Sequence, residues 1–215
     1  MAEKLRIHTF TLGDFQTNCF IVRLDGRPGC WIVDAGFEPE EMIAFIQRER
    51  LEPEALLLTH AHCDHIAGVG AVGDHWPQLP ILIHQAEATF LRDPMLNLSA
   101  LMGSPIKAPA ATGYLEHGAT LELGPVRFQV RHTPGHSPGG VTLYCAGAGV
   151  ALVGDTLFAG SIGRYDFPTS DGRQLLESIR GQLLTLPDET TIHPGHGPAS
   201  TIGQERETNP FLQPQ

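Results

Sequence analysis

Basic residues are few in this sequence and are never clustered. The 215 residues include 14 Lys and Arg against 24 Asp and Glu, which gives a net charge of −10 with neutral histidines. A phosphate backbone or an anionic membrane is bound through a basic surface, because cationic side chains supply the attraction. The composition therefore argues against a nucleic-acid partner and against a membrane partner.

Long apolar runs are also missing from the sequence. No stretch reaches the roughly 20 apolar residues that a membrane-spanning helix needs. The N-terminal segment contains no uninterrupted apolar core of the kind that a signal peptide has. We therefore expect a soluble, cytoplasmic protein.

Cysteine is scarce, and its spacing excludes the usual cysteine motifs. The four residues stand singly and never form a Cys-x-x-Cys pair; they are Cys19, Cys30, Cys63 and Cys145. This spacing excludes a zinc ribbon and a dithiol redox motif. Free thiols in a reducing compartment are the expected state. We predict that Cys63, although it lies between candidate metal ligands, is not a ligand itself.

Strand-like segments occur in both halves of the sequence, with helix-like segments between them. Apolar or alternating runs predict strands at residues 5–12, 19–24, 30–33, 55–58, 81–83, 120–123, 126–132, 141–145, 150–153 and 190–193. Apolar residues at helical spacing predict helices at residues 39–50, 67–76, 85–91 and 173–186, and residues 95–118 predict a loop. Two halves of similar order predict a layered α/β sandwich with helices outside, in a single domain over residues 1–215.

Metal-competent side chains are concentrated where a predicted strand ends. The segment THAHCDH at residues 59–65 directly follows the strand at residues 55–58. Two histidines at positions i and i+2 of an extended chain point to the same side, whereas Asp64 and His65 must turn away if all four bind metal. Burying four such groups without a ligand would be costly. The segment therefore predicts a metal site, and the turn favours two ions.

Three later loops, each of which follows a strand, add one candidate ligand apiece. They are His136 in TPGHSPGG at residues 133–140, Asp155 in LVGDT at residues 152–156, and His196 in PGHG at residues 194–197. A carboxylate has two oxygens and can bridge two cations, which suits the aspartate of this series.

These four segments, in this order, resemble the metallo-β-lactamase superfamily. Three further stretches resemble its short, glyoxalase II-like branch: TNCF at residues 17–20, GDTLFAGSIGR at residues 154–164 and ERETNPFL at residues 205–212. The resemblance implies an α/β fold, the αβ/βα four-layer sandwich of two mixed β-sheets flanked by helices. It also implies a single-domain hydrolase of the hydroxyacylglutathione hydrolase type that lacks the C-terminal helical domain of glyoxalase II.

The family pattern, carried over onto this sequence, implies seven ligands for two divalent ions. It assigns His60, His62 and His136 to one ion, Asp64, His65 and His196 to the other, and Asp155 to both. Two ions that share a water lower its pKa and supply hydroxide near neutral pH, and one ion can polarise a carbonyl. Asp64 is also the catalytic candidate, because it can orient that hydroxide. Zinc is the expected metal, with iron and manganese open, because imidazole and carboxylate suit all three.

Arg164 is the candidate for substrate binding. Glyoxalase II has a lysine at the same distance beyond the bridging aspartate, where it helps to hold a carboxylate of glutathione, and a guanidinium can take that role. The tyrosine that the family uses two residues later is Asp166 here, so a structural Arg164–Asp166 ion pair is the alternative. We predict structural or surface roles for the histidines without a motif, which are His8, His75, His84, His117, His132 and His193; the last two are candidates for contacts behind the ligands.

The resemblance implies a metal-dependent thioester hydrolase that cleaves S-lactoylglutathione to lactate and glutathione by attack of a metal-bridging hydroxide. The expected partner is thus a small, glutathione-linked thioester. The alternative is a mononuclear iron persulfide dioxygenase acting on glutathione persulfide, a class that shares the ligand series and a GRxDF stretch, here at residues 163–167. A non-catalytic metal-binding protein is a third class. β-Lactamase activity is disfavoured because many lactamases treat the position of His65 differently.

Overall fold

The structure is a computed structural model that describes residues 4–213, and the chain divides into two compact units. Of the described residues, the first unit comprises residues 4–114 and 122–126, and the second comprises residues 115–121 and 127–213. Residues 1–3 and 214–215 of the predicted domain lie outside the described residues. The single domain over residues 1–215 stays a prediction.

The first unit contains a six-stranded mixed sheet and three α-helices. In their order across the sheet, its strands are β1 (Leu5–Leu12), β2 (Thr17–Leu24), β3 (Gly29–Val33), β4 (Glu52–Leu57), β5 (Ile81–Ile83) and β6 (Gly113–Tyr114). The pairs from β1 to β3 are antiparallel, and the pairs from β3 to β6 are parallel. The helices are α1 (Glu40–Arg48), α2 (Cys63–Ile66) and α3 (Val69–His75).

One apolar core joins the helices of the first unit to its sheet. Met42 and Ile46 of α1 are fully buried, and they belong to the same core as Ile21, Ile32 and Leu56 of the strands. Met42 and Ile46 are four residues apart and so lie on one face of α1, and alternation along each strand places Ile21, Ile32 and Leu56 on the face of the sheet that contacts the core. The core thereby fixes the end of β4, from which the histidine-rich segment departs.

The second unit contains most of a further six-stranded mixed sheet, a two-stranded ribbon and two α-helices; residues 122, 123 and 126 of that sheet belong to the first unit. Its strands are β7 (Thr120–Leu123), β8 (Val126–His132), β9 (Val141–Cys145), β10 (Val150–Gly154), β11 (Leu157–Phe158), β12 (Ser161–Ile162), β13 (Thr191–Pro194) and β14 (Ser200–Thr201). The sheet order is β14-β13-β10-β9-β8-β7, and β11 pairs with β12. Strand β10 is parallel to β13 and antiparallel to β9. The helices are α4 (Gly172–Ser178) and α5 (Ile202–Thr208).

The sequence predicts one unbroken α-helix over residues 173–186, but α4 ends at Ser178. The chain continues as a π-helix over Ile179–Leu183, where the Leu184 N–H donates to the carbonyl of Ile179 at 2.9 Å. Leu175, Ile179 and Leu183 are all fully buried in the core of this unit. The wider turn keeps the apolar stripe on the core over this length, which is a tertiary effect that local spacing does not reveal.

One other helix prediction differs from the structure, and one helix of the structure was not predicted. The helix predicted at residues 85–91 is instead a pair of short 3₁₀ helices, Gln85–Glu87 and Phe90–Arg92. Helix α5 was not predicted, although Thr201 and Gln204 have the spacing of a capping box, and the Thr201 hydroxyl accepts from the Gln204 N–H at 3.2 Å. Within residues 4–213, none of the helices has the length and apolar character to cross a membrane.

Candidate metal ligands

Four candidate ligands of the first unit lie on the short segment that follows β4. His62 has an extended backbone and precedes α2, whereas Asp64 and His65 lie on the first turn of that helix. The sequence predicted that the chain turns between His62 and Asp64, and this turn is the first turn of α2. His60, His62 and His65 are buried, with 1%, 3% and 0% of their surfaces exposed.

The side chains of this segment converge within the first unit. The ring centroid of His60 lies 4.8 Å from that of His62 and 4.1 Å from that of His65. The His65 Nε2 atom lies 3.5 Å from Asp64 Oδ2. Polar groups are expensive to bury, and a cation held by imidazole nitrogens and a carboxylate oxygen offsets that expense. The donor set of this segment therefore suits a divalent metal ion.

Asp34 holds the histidine-rich segment from behind, and sequence reasoning missed it. Its fully buried carboxylate accepts from Thr59 N–H and from Thr59 Oγ1, both at 2.7 Å, and lies 2.9 Å from His65 Nδ1. A carboxylate on Nδ1 favours the tautomer whose Nε2 carries a lone pair for metal binding. The available signal was an aspartate directly after a buried strand.

Two further side chains that sequence reasoning left without a role clamp the same segment. Thr17 Oγ1 donates to Asp64 Oδ2 at 2.9 Å, and the buried carboxylate of Glu87 accepts from the Ala61 N–H. Thr17 opens the TNCF stretch, which the sequence singled out only as a resemblance. Both contacts restrict the orientation of the candidate ligands before any metal binds.

In the second unit, Asp155 lies equally close to two histidines. Its Oδ2 atom is 3.5 Å from His136 Nε2 and 3.5 Å from His196 Nε2. Two ligand atoms bound tetrahedrally to one ion at 2.0–2.1 Å lie about 3.3 Å apart. The first distance therefore suits a cation bound by both Asp155 and His136, and the second suits a cation bound by both Asp155 and His196.

His136 is oriented by the loop that follows Ile162. Its Nδ1 lies 2.7 Å from the carbonyl oxygen of Arg164. Because a carbonyl only accepts hydrogen bonds, Nδ1 carries the proton and Nε2 keeps the lone pair on the side of Asp155. Ser170 Oγ, farther along the same loop, donates to the His136 carbonyl at 2.6 Å and ties the backbone at His136 to this loop.

Gly163 is required at the point where this loop meets the candidate ligands. A Cβ atom there would overlap the carbonyl oxygen of Asp155 and lie 3.1 Å from His136 Cβ. We expect Gly163→Ala to destabilise the protein by about 1–3 kcal/mol, because the added methyl group must push both residues aside. The change should appear as a lower urea midpoint and as weaker metal binding.

Gly181→Ala is the matched control for this prediction. Gly181 lies in the π-helix, and a Cβ atom there would meet no heavy atom within 4 Å apart from its chain neighbours and the backbone of its own helix. Its alanine variant should unfold at the same urea concentration as the natural chain or at a higher one. Equal stability of both variants would show that the loop relaxes without loss.

Arg164 has the ion pair that the sequence posed as the alternative to substrate binding. Its Nε and Nη2 atoms donate to the two carboxylate oxygens of Asp166 at 2.6 and 3.1 Å, and its guanidinium carbon lies 4.4 Å from the ring centroid of Phe167. The hydrogen bond from Arg164 holds the pKa of Asp166 below its usual value. A role of Arg164 in substrate binding stays a prediction.

The histidines without a motif make contacts typical of structural residues. His8 Nε2 accepts from Arg23 Nε at 3.1 Å, and His117 Nδ1 accepts from the backbone N–H of His132 at 3.1 Å. His132 Nε2 also lies 3.0 Å from the carbonyl of Pro138, in the loop that carries His136. Burial lowers the pKa of His193.

The four cysteines are free, buried thiols. Burial raises the pKa of Cys19 and of Cys30 to about 12. At pH 8 only about one molecule in ten thousand then carries a thiolate at either position, and thiolate is the reactive form. We expect iodoacetamide to leave both residues unmodified in the native protein and to label them in denaturant, as measured by peptide mass spectrometry. Rapid labelling of native Cys19 or Cys30 would contradict this burial.

Comparison with known proteins places the fold and the motifs in one family. The chain matches the metallo-beta-lactamase superfamily model over residues 12–196. Hydroxyacylglutathione hydrolase GloC of Haemophilus influenzae is 36% identical over 210 residues, which cover 97% of this chain and 98% of that protein. The crystal structure of BLEG-1 B3 metallo-beta-lactamase has a TM-score of 0.92 at 43% identity and covers 97% of this chain and 100% of its own.

A second solved structure, that of TTHA1623 in a di-iron-bound form, has a TM-score of 0.86 at 41% identity and covers 95% of this chain and 100% of its own. These similarities and the two mixed sheets confirm the predicted α/β fold. By its sequence and by its fold, the chain belongs to the metallo-β-lactamase superfamily.

Proposed function

We propose that this protein is a metal-dependent hydrolase that cleaves a thioester, with S-lactoylglutathione as substrate and lactate and glutathione as products. The observation that carries the metal-dependent part is the position of Asp155 Oδ2, 3.5 Å from the Nε2 atoms of both His136 and His196. The similarity to GloC over 97% of this chain supports the thioester. We place the reaction in the cytoplasm, where thiols are kept reduced.

The residues that would hold the metal ions are those of the family pattern. His60, His62 and His136 would bind one ion, Asp64, His65 and His196 the other, and Asp155 both. Imidazole and carboxylate donors fit zinc, iron and manganese, and the di-iron form of TTHA1623 supports iron beside zinc. When bound, such ions supply hydroxide near neutral pH and polarise a carbonyl.

The residues of this chain prepare the site for that chemistry. The carbonyl of Arg164 keeps the proton of His136 on Nδ1, and Asp34 does the same for His65. Thr17 fixes the carboxylate of Asp64, which in the proposed reaction orients the attacking water. The departing thiol needs little help from an acid, because a thiolate is a good leaving group near neutral pH.

A second candidate function is the oxygenation of glutathione persulfide with a single iron ion. The GRYDF stretch at residues 163–167 favours it, since this stretch is shared with persulfide dioxygenases. In this chain Arg164 and Asp166 of the stretch pair through two hydrogen bonds, and the guanidinium lies over Phe167.

Elemental analysis combined with three assays separates these functions. The purified chain is tested for hydrolysis of S-lactoylglutathione, for oxygen uptake with glutathione persulfide, and for cleavage of a chromogenic cephalosporin. We expect two metal ions per chain and thioester hydrolysis that a chelator abolishes and added metal restores. Oxygen uptake stoichiometric with persulfide, in protein holding one iron, would replace the hydrolase by the oxygenase.

The remaining outcomes of the same experiment also decide the question. Cephalosporin cleavage faster than thioester hydrolysis would assign the activity named for BLEG-1. Metal-loaded protein that turns over none of the three substrates would support a non-catalytic metal-binding protein. Either result would overturn the proposed function.

A further inference from the structure

A groove of about 650 Å³ lies in the second unit, beside residues 162–165, the stretch of chain whose Arg164 carbonyl orients His136. Its walls include Ile162, Tyr165, Arg173, Leu176 and Phe211. The volume is within the range of about 300–1,000 Å³ that is usual for small-molecule sites. Apolar walls with one cationic side chain suit a ligand that has both apolar and anionic parts.

The groove shares a segment of chain with the candidate ligands. Ile162 and Tyr165 flank residues 163–164, where Gly163 packs against Asp155 and His136, and where the Arg164 carbonyl accepts from His136 Nδ1 at 2.7 Å. A molecule in the groove therefore contacts the two residues that flank this segment in the sequence. This continuity connects the groove to the proposed reaction.

The C-terminal stretch ERETNPFL builds one wall of the groove. Buried Asn209 donates through Nδ2 to the Ser161 carbonyl at 2.9 Å and to Glu205 Oε2 at 2.8 Å, and its Oδ1 accepts from the Phe211 N–H at 3.1 Å. These bonds tie the backbone of Phe211 to strand β12 through Asn209, and the side chain of Phe211 lines the groove together with Ile162. The motif, which the metal chemistry does not use, thus serves to position an aromatic side chain.

Tyr165 and Phe211 leave apolar surface exposed in this groove, 48% and 44% of their respective surfaces. Tyr165 packs on a glycine, since a Cβ atom at Gly172 would lie 2.7 Å from its ring. Two well-positioned aromatic rings that remain half exposed are typical of a binding surface.

Arg173 is the cation that can meet an anionic ligand here. Its nearest acidic partner is Glu177, whose Oε1 lies 4.0 Å from its Nε, and the two side chains are 85% and 70% exposed. Arg164, by contrast, is engaged by both oxygens of Asp166. An exposed ion pair at 4.0 Å is weak and yields readily to a ligand carboxylate.

We propose that this groove binds the peptide part of the thiol half of the substrate, with Arg173 on a terminal carboxylate and with Tyr165 and Phe211 against the peptide. The inference rests on the proposed thioester hydrolysis and names its recognition site. It assigns the carboxylate of the ligand to Arg173 in place of Arg164.

Steady-state kinetics of Arg173→Gln test the assignment with two substrates. S-lactoylglutathione has peptide carboxylates, whereas S-lactoyl-N-acetylcysteamine has none. We expect KM for the first to rise about 5- to 20-fold with kcat unchanged, and KM for the second to stay constant. Arg180→Gln, at another exposed arginine of the same helical region, is the matched control and should leave both unchanged.

Calorimetric titration with S-methylglutathione, which cannot be hydrolysed as a thioester, separates the groove from the reaction. We expect Kd to rise in Arg173→Gln by the same factor as KM, and to rise in Phe211→Ala. If binding weakens in this way but no thioester is cleaved, the groove stands and the proposed function fails. The groove assignment is wrong, and the proposed function is retained, if thioester is cleaved but KM and Kd are the same in Arg173→Gln as in the natural chain. The same conclusion follows if KM and Kd change in Arg164→Gln instead.

Discussion

The Asp155→Asn variant is expected to lose at least about a thousandfold in kcat/KM for thioester hydrolysis while it keeps its fold. The Oδ2 atom of Asp155 is 3.5 Å from the Nε2 atoms of two histidines, so this carboxylate can bind a cation together with either of them. An amide of almost the same shape removes the negative charge that a cation requires. A thousandfold loss corresponds to about 4 kcal/mol of transition-state stabilisation, which is within the range of metal-assisted charge stabilisation.

Metal content is the second measurement for this variant, because it does not depend on turnover. We expect elemental analysis to find less metal per chain in Asp155→Asn, with an unchanged circular dichroism spectrum. Asp74→Asn, at an exposed aspartate of α3, is the matched control and should retain both metal and activity. An Asp155→Asn protein with full metal content and activity within tenfold of the natural chain would remove Asp155 from the shared position.

The prediction for Asp155 came from the sequence, and so did much of the fold. Strands such as β2, β9 and β10 carry apolar or alternating runs with a glycine within two residues of at least one end, and these signals are local. The candidate ligands were also visible locally, because four metal-competent residues within residues 60–65 have no common structural use. Local period was sufficient to predict these strands, and local density was sufficient to predict a metal site at residues 60–65.

Other features depended on contacts between residues far apart in sequence. Asp34 is 25 residues from Thr59, Glu87 is 26 residues from Ala61, and Thr17 is 47 residues from Asp64. A local pattern can mark one member, as the strand before Asp34 does, but no local pattern identifies its partner. The π-helix after α4 arises in the same way, since the core determines how far its apolar stripe must extend.

Arg164 illustrates a limit of a different kind. The sequence allowed either a substrate-binding guanidinium or a structural pair with Asp166, because both residues lie in one loop. The structure has the pair, with side chains that are 65% and 63% exposed. Because Arg164 is paired with Asp166 and Arg173 is held only weakly, we assign the anionic part of the substrate to Arg173 in the neighbouring groove.

The Asp34→Asn variant should lose both stability and metal affinity. The carboxylate of Asp34 faces three donors, which are the N–H and hydroxyl of Thr59 and Nδ1 of His65. An amide has one oxygen and one NH₂ group, so at least one buried donor must face another donor or turn away. Leaving a buried partner of a charged group unsatisfied costs about 2–4 kcal/mol, which urea denaturation measures.

The effect of Asp34→Asn on metal binding follows from the tautomer of His65. If the amide NH₂ group points at Nδ1, the imidazole proton moves to Nε2, and the lone pair near Asp64 is lost. We expect metal affinity to fall about 10- to 100-fold, as measured by competition with a chelating dye. Asp25→Asn, whose exposed carboxylate pairs with Arg6, should leave this affinity unchanged. Asp34→Asn protein that is destabilised but binds metal with natural affinity would limit Asp34 to a structural role, because His65 would then keep its tautomer without the carboxylate.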